Sequence, residues 1–185
     1  MAAFTVIDHQ ELGASTWAPS GTGTAASWSK TSIPSSYDHL LIVASIRSSK
    51  SADYDKVDLQ MGNGSLDTGT NYSQTVLHTN SATPTSARLT SQDSIDYIYV
   101  SADSATANTF GTVKIWIPHY TSSNYKQAIC TSTAENASAV DGEWFLRVAA
   151  GLWQSTSAVD AVGIKETGDD LMQYSTVTLY GITGA

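Results

Sequence analysis

Apolar residues recur in this chain with a period of two along nearly its whole length. That feature restricts the fold more than any other, because successive side chains of a strand point to opposite faces of a sheet. In "FGTVKIWIPHY" (110–120), Val113, Ile115 and Ile117 fall on one side and Lys114 and Trp116 on the other. In "YDKVDLQM" (54–61), Tyr54, Lys56, Asp58 and Gln60 oppose Val57, Leu59 and Met61. "FTVIDHQEL", "SQTVLHT", "IDYIYVS", "YKQAICTST", "EWFLRVAAGLW" and "AVDAVGIKE" repeat the habit. "YDHLLIVASIR" (37–47) is nearly continuous apolar, with Leu40, Ile42, Ala44 and Ile46 on one face and Leu41 and Val43 on the other. It predicts a central strand covered on both sides. In "YSTVTLYGI" (174–182), Val177 and Leu179 are expected to enter the core and Thr176, Thr178 and Tyr180 to face away, with Gly181 permitting a bend. No segment shows a good amphipathic helix.

The punctuation agrees. "GNGSLDTGTN" (62–71), "SATPTS" (81–86) and "KETGDD" (165–170) are rich in residues that accept positive φ or bond their own backbone, and are expected to be turns. About nine or ten strands at these spacings predict an all-β, two-sheet antiparallel sandwich or a barrel. The long loops at 13–23 and 62–72 favour crossovers between two sheets over a simple meander, so a jelly roll fits best. Neither a repeat nor a linker divides the chain, which is expected to form one domain over residues 1–185.

Composition narrows the partners. Charged residues make up only 14% of the chain, against the usual quarter, and Ser and Thr fill the gap at roughly a quarter. The nine Lys and Arg are scattered and the net charge is −8, so no basic stripe for nucleic acid can form. No run approaches the ~18 apolar residues of a membrane span. The start, "MAAFTVIDHQEL", lacks a basic and apolar leader, which predicts a product kept in the cytoplasm or released by lysis. The one cysteine, Cys130, cannot make an internal disulfide and reads as a small buried hydrophobe.

Chemistry is sparse. His9, His39, His78 and His119 each stand alone in a different segment, with no His-x-His or His-x-x-x-His spacing. No Gly-x-Ser-x-Gly elbow occurs, and the Gly-x-Gly pairs at 21–23 and 62–64 lack a third glycine. Asp53, Asp55 and Asp58 form the one shaped acidic cluster. Asp53 and Asp55 share a strand face and could offer oxygens to Ca²⁺, but they lack the glycine and terminal glutamate of an EF-hand loop, so a solvated strand entry is the better reading. No catalytic set, cofactor or metal site is therefore expected. The aromatics carry more interest. Trp17, Trp28 and Trp116 lie in weakly charged surroundings, and each is a candidate for core packing, a protein interface or sugar stacking.

The last third, "GLWQSTSAVDAVGIKETGDDLMQYSTVTLYGI" (151–182), resembles a pattern of tailed-bacteriophage virion proteins: a Gly-x-Trp stretch, a Ser/Thr-rich turn, a short strand, a Gly turn and a terminal "LYGI". "YDHLLIVASIRS" (37–48) and "WIPHYTSSNYKQ" (116–127) resemble segments of the same family. The resemblance implies a jelly-roll module of the head decoration, head-fibre, tail-fibre or baseplate kind. It carries no catalytic residue. It further implies location in the virion after assembly in the host cytoplasm. The partners would be the major capsid protein or another virion protein, and further copies of the chain, as a trimer. Capsid decoration is the leading expectation, and a receptor- or glycan-binding module using exposed Trp or Tyr is the alternative.

Overall fold

A computed structural model describes residues 3–11, 27–80, 83–137, 144–166 and 168–184. Thirteen strands run through them: β1 (Ala3–Glu11), β2 (Ser27–Lys30), β3 (His39–Ile46), β4 (Tyr54–Asn63), β5 (Ser65–Leu66), β6 (Tyr72–Asn80), β7 (Thr83–Gln92), β8 (Ile95–Ser101), β9 (Gly111–Pro118), β10 (Lys126–Ala134), β11 (Phe145–Trp153), β12 (Ala161–Glu166) and β13 (Thr176–Thr183). No helix occurs among the described residues. Eight strands form one sheet in the order β1-β13-β3-β9-β10-β11-β6-β7. The second sheet runs β2-β12-β4, with β5 and β8 both pairing to the far edge of β4. Every strand pairing is antiparallel. The protein is a two-sheet antiparallel β-sandwich, with jelly-roll-like crossings between the sheets as the chain passes from β1 to β4.

The alternation places the core. Leu40, Ile42, Ala44 and Ile46 of β3, Val113, Ile115 and Ile117 of β9, and Val177 and Leu179 of β13 point inward from the large sheet. Val57, Leu59 and Met61 of β4, with Val162 and Ile164 of β12, meet them from the small one. Each Val, Leu, Ile or Met among them contributes about 1.5–3 kcal/mol. Cys130 is buried among them, and burial pushes its thiol up to about 12. The sheets are also pinned by a hydroxyl. Tyr72 Oη of β6 donates to the Met61 carbonyl at 2.7 Å and accepts from the Met61 N–H at 2.9 Å.

Four sequence expectations need correction. Thirteen strands run through the described residues, against about nine or ten expected. "SATPTS" is not all turn, because Thr83–Ser86 begin β7 and Pro84 sits on an edge strand, where its missing N–H costs no ladder bond. Strand β3 is covered on one face only; Val43 is exposed and Leu41 half-buried. Gly181 is not at positive φ, and the reason for a glycine there is contact: an added Cβ would lie 2.4 Å from the Tyr37 ring. A similar approach occurs across the sandwich, where a Cβ on Gly151 would meet Ile95 Cδ1 at 2.2 Å. The loop 13–23 lies outside the described residues.

Candidate functional site

Strand register builds a broad surface on the outside of the eight-stranded sheet. Directly paired residues share a face, so the ladder can be followed from edge to edge. One row runs Val6, Tyr180, Leu41, Trp116, Ile129, Ala150, Thr75 and Arg88. The next runs His9, Thr178, Val43, Lys114, Thr131, Val148, Leu77 and Ser86. A third continues with Glu11, Thr176, Ser45, Thr112, Thr133, Leu146, Thr79 and Pro84. These rows mix hydroxyls with aliphatic side chains and carry formal charge only at Lys114, Arg88 and, on the edge strand β1, Glu11. Val6, Val43, Leu77, Ile129, Leu146 and Val148 are exposed by 39–56%. Isolated exposed apolar residues mean little, but here they stand on five strands of one face.

Trp116 is half-buried in the middle of this surface, between Leu41 and Ile129. Its ring centroid lies 4.9 Å from that of His39, which in turn lies 4.8 Å from His119. The His119 N–H donates to His39 Nδ1 at 3.1 Å. The fold thus brings together two histidines that sequence spacing kept apart. Trp28 differs. It is fully buried in β2, and its indole N–H donates to Asp8 Oδ2 at 3.1 Å, so it ties the small sheet to β1 and cannot touch a partner. The short stretch "SWSK" offered too few positions for alternation to reveal that. Trp17 lies outside the described residues.

A second feature lies on the outer side of the small sheet. Lys56, Asp58, Asp93, Asp96, Tyr97 and Lys165 line a cleft of about 300 Å³. The bulge that shifts the β4–β8 register at Val57/Leu59 opens the ladder there. Tyr97 adopts φ 62°, an uncommon conformation for a side-chain-bearing residue. The Tyr97 N–H donates to Asp58 Oδ1 at 3.1 Å, and Ser94 Oγ lies 3.3 Å from Asp58 Oδ2. Lys56 Nζ sits 4.1 Å from the Tyr97 ring centre. Burial, followed by the charge of Asp96, pushes the Asp58 carboxyl up to about 6. Burial also raises Asp96 and lowers Lys56.

The Asp53/Asp55 pairing is not what forms. Asp53 sits in the bend before β4 and approaches Asn136, with Asn136 Nδ2 3.5 Å from its Oδ1. Asp55 is buried and turns to Ser48 and Lys50. Asp58 lies apart from both, in the cleft.

No protein-family model and no curated protein matches this chain. Among solved structures, a chain of peanut lectin with a nine-residue peptide aligns over 100% of this chain and 93% of its own. The identity is 9% and the TM-score 0.25. At that score the alignment says nothing about activity or partners.

Proposed function

We propose that this chain is a non-enzymatic structural protein of a phage virion, a decoration or cement protein that docks on the capsid and stabilises it. One observation carries the docking part of the reading: the outer face of the eight-stranded sheet, with exposed aliphatics on five strands and almost no charge. Interface cores are depleted in charged residues, and aromatic side chains near their centre dominate the binding energy. Trp116 occupies that position. The virion part of the reading rests on the resemblance of segments 37–48, 116–127 and 151–182 to tailed-phage proteins.

The mechanism is associative. Shell subunits cover the sheet face, and the apolar area removed from water opposes expansion of the shell. A trimer of the chain would present three such faces to a local three-fold site. The acidic remainder of the surface keeps released particles from clinging to nucleic acid.

The test is binding of purified protein to empty mature capsids of the encoding phage. Stoichiometric binding and a raised capsid melting temperature are expected. The double variant Leu77→Asp/Ile129→Asp alters two exposed side chains on strands that do not pair with each other, so it should fold normally and lose binding. Unchanged binding by that variant moves the interface elsewhere. A protein that ignores capsids overturns the reading. The cleft around Tyr97 favours a second reading, a receptor- or glycan-binding module, because it is concave, polar and aromatic-lined. Binding to host-cell glycan that Tyr97→Ala abolishes would select it.

A further inference from the structure

Three segments distant in sequence meet at one end of the small sheet. Strand β4 enters there and carries Asp55, and strand β12 ends there with Glu166. The turn after β12 carries Asp169 and is laced to the segment following β3: the Ser49 N–H donates to the Asp170 carbonyl at 2.8 Å, and the Asp170 N–H to Ser49 Oγ at 3.0 Å. One oxygen each from Asp55, Glu166 and Asp169 lie within 4.8 Å of one another. Asp55 and Glu166 are each 1% exposed.

An acidic cluster alone is common on protein surfaces. Here the bonding of Glu166 adds a separate observation. Its Oε2 accepts the backbone N–H groups of Gly168, at 2.6 Å, and Asp169. Its Oε1 is buried and meets no donor among the described residues, while the Glu166 carboxyl lies within hydrogen-bond reach of the Asp55 carboxyl, another acceptor when ionised. A buried carboxylate oxygen without a donor is costly, so something must meet it. Lys50 does not, because its Nζ lies 2.9 Å from Asp55 Oδ1. Three carboxylates against that one ammonium leave a formal charge of −2. Asp55 also accepts from Ser48 Oγ at 2.7 Å, yet each of its oxygens keeps a second lone pair.

We infer that Asp55, Glu166 and Asp169 form a binding site for a hard divalent cation, calcium or magnesium. The donors are all oxygen, which selects hard ions over zinc or copper. A dication balances the residual charge and gives Glu166 Oε1 its missing partner. It would also clamp the turn after β12 onto the mouth of β4. The alternative occupant is a proton shared between Glu166 and Asp55. Burial and the neighbouring Asp55 push the Glu166 carboxyl up, and a saturable response to added ion separates the two cases.

Protein stripped with EDTA and exchanged into chelator-free buffer at pH 8 is titrated calorimetrically with CaCl₂ and, separately, MgCl₂. One ion per chain is expected. The melting temperature should rise by about 5–10 °C at a hundredfold excess of free ion over Kd. Whichever ion gives that response is the one the site takes. Glu166→Gln and Asp169→Asn should each weaken binding at least tenfold, whereas Asp96→Asn in the Tyr97 cleft should leave it unchanged. Asp169 is half-buried in a turn, so its variant remains informative if Glu166→Gln fails to fold. No response to either ion overturns the site. So does undiminished binding by Asp169→Asn, or loss of binding by Asp96→Asn.

Discussion

Replacing Gly181 by alanine tests whether contact or backbone freedom dictates the glycine in the closing strand β13. An added Cβ would stand 2.4 Å from Cγ and Cδ2 of Tyr37 and 2.6 Å from Cδ1, where carbon atoms normally keep about 3.5–4.0 Å. The ring must therefore withdraw by roughly 1 Å or more to restore contact. Overpacking of this kind costs about 1–3 kcal/mol, against a gain of about 0.5–1 kcal/mol from removing a strand glycine. Tyr37 is half-buried and can partly yield, so the net loss should be about 0.5–2 kcal/mol. In a Tyr37→Ala background the obstruction is gone and the same change should stabilise by about 0.5–1 kcal/mol. The assay is urea denaturation of the four proteins of the cycle, with each stability taken from midpoint and slope. A coupling energy of about 1–3 kcal/mol is expected. If Gly181→Ala costs the same in both backgrounds to within about 0.5 kcal/mol, the ring is irrelevant and the backbone itself requires glycine.

Two further outcomes follow from buried charge. The Asp58 carboxyl titrates near 6 in the folded chain against 3.8 as the ordinary value, so between those values the folded state holds more protons and its stability falls as pH rises. Wild type should therefore lose stability relative to Asp58→Asn from about pH 4 to 6 and level off above about pH 7, as read by denaturation at several pH values; a difference that grows in the opposite direction refutes the assignment. Arg147 of β11 is 1% exposed; its Nη2 donates to Gln74 Oε1 at 2.8 Å, while its Nε and Nη1 and the Gln74 amide nitrogen have no partner among the described residues. Replacing both, as Gln74→Leu/Arg147→Met, should be neutral or stabilising by up to about 3 kcal/mol in urea, and a loss beyond about 1 kcal/mol would show that the guanidinium is held by something else.

Strands with one buried face were legible because alternation records burial. Val113, Ile115 and Ile117, and likewise Val177 and Leu179, point where the period of two places them. Strand β7 left no such record. "TPTSARLTSQ" is exposed along most of its length and is a strand because it pairs with β6 at the sheet edge, not because a face is apolar. The run "LLIVASI" misled in the other direction. Apolar residues on both faces usually mean two covers, but here the outer cover is missing. The cation cluster was half legible. Asp55 stood out by its acidic neighbours, yet Glu166 and Asp169 lie more than a hundred positions later and come to it through the β4–β12 pairing. Local spacing favoured Asp53, which the bend before β4 turns toward Asn136.

The charges of this chain are few, and their distribution argues for which face meets a partner. The cleft gathers Lys56, Asp58, Asp93, Asp96 and Lys165, and the far end of the small sheet gathers Lys50, Asp55, Glu166 and Asp169. Both groups lie on the five-stranded side. The three rows across the large sheet hold two cations, Lys114 and Arg88, and a single carboxylate, Glu11 on the edge strand β1. A sheet face open to water on both flanks gains nothing from exposing Ile129 or Leu77, since either could be threonine at no cost to the core. Burial against a second surface gives those positions a purpose, because an unpaired charge there would be stranded and a hydroxyl would forgo the apolar area. Lys114, standing between Val43 and Thr131, is the discriminating position. If the large sheet docks through its centre, Lys114→Glu should weaken capsid binding and leave the unfolding free energy of the free protein within about 0.5 kcal/mol of wild type. A variant that binds as well as wild type would place the partner on the charged side instead.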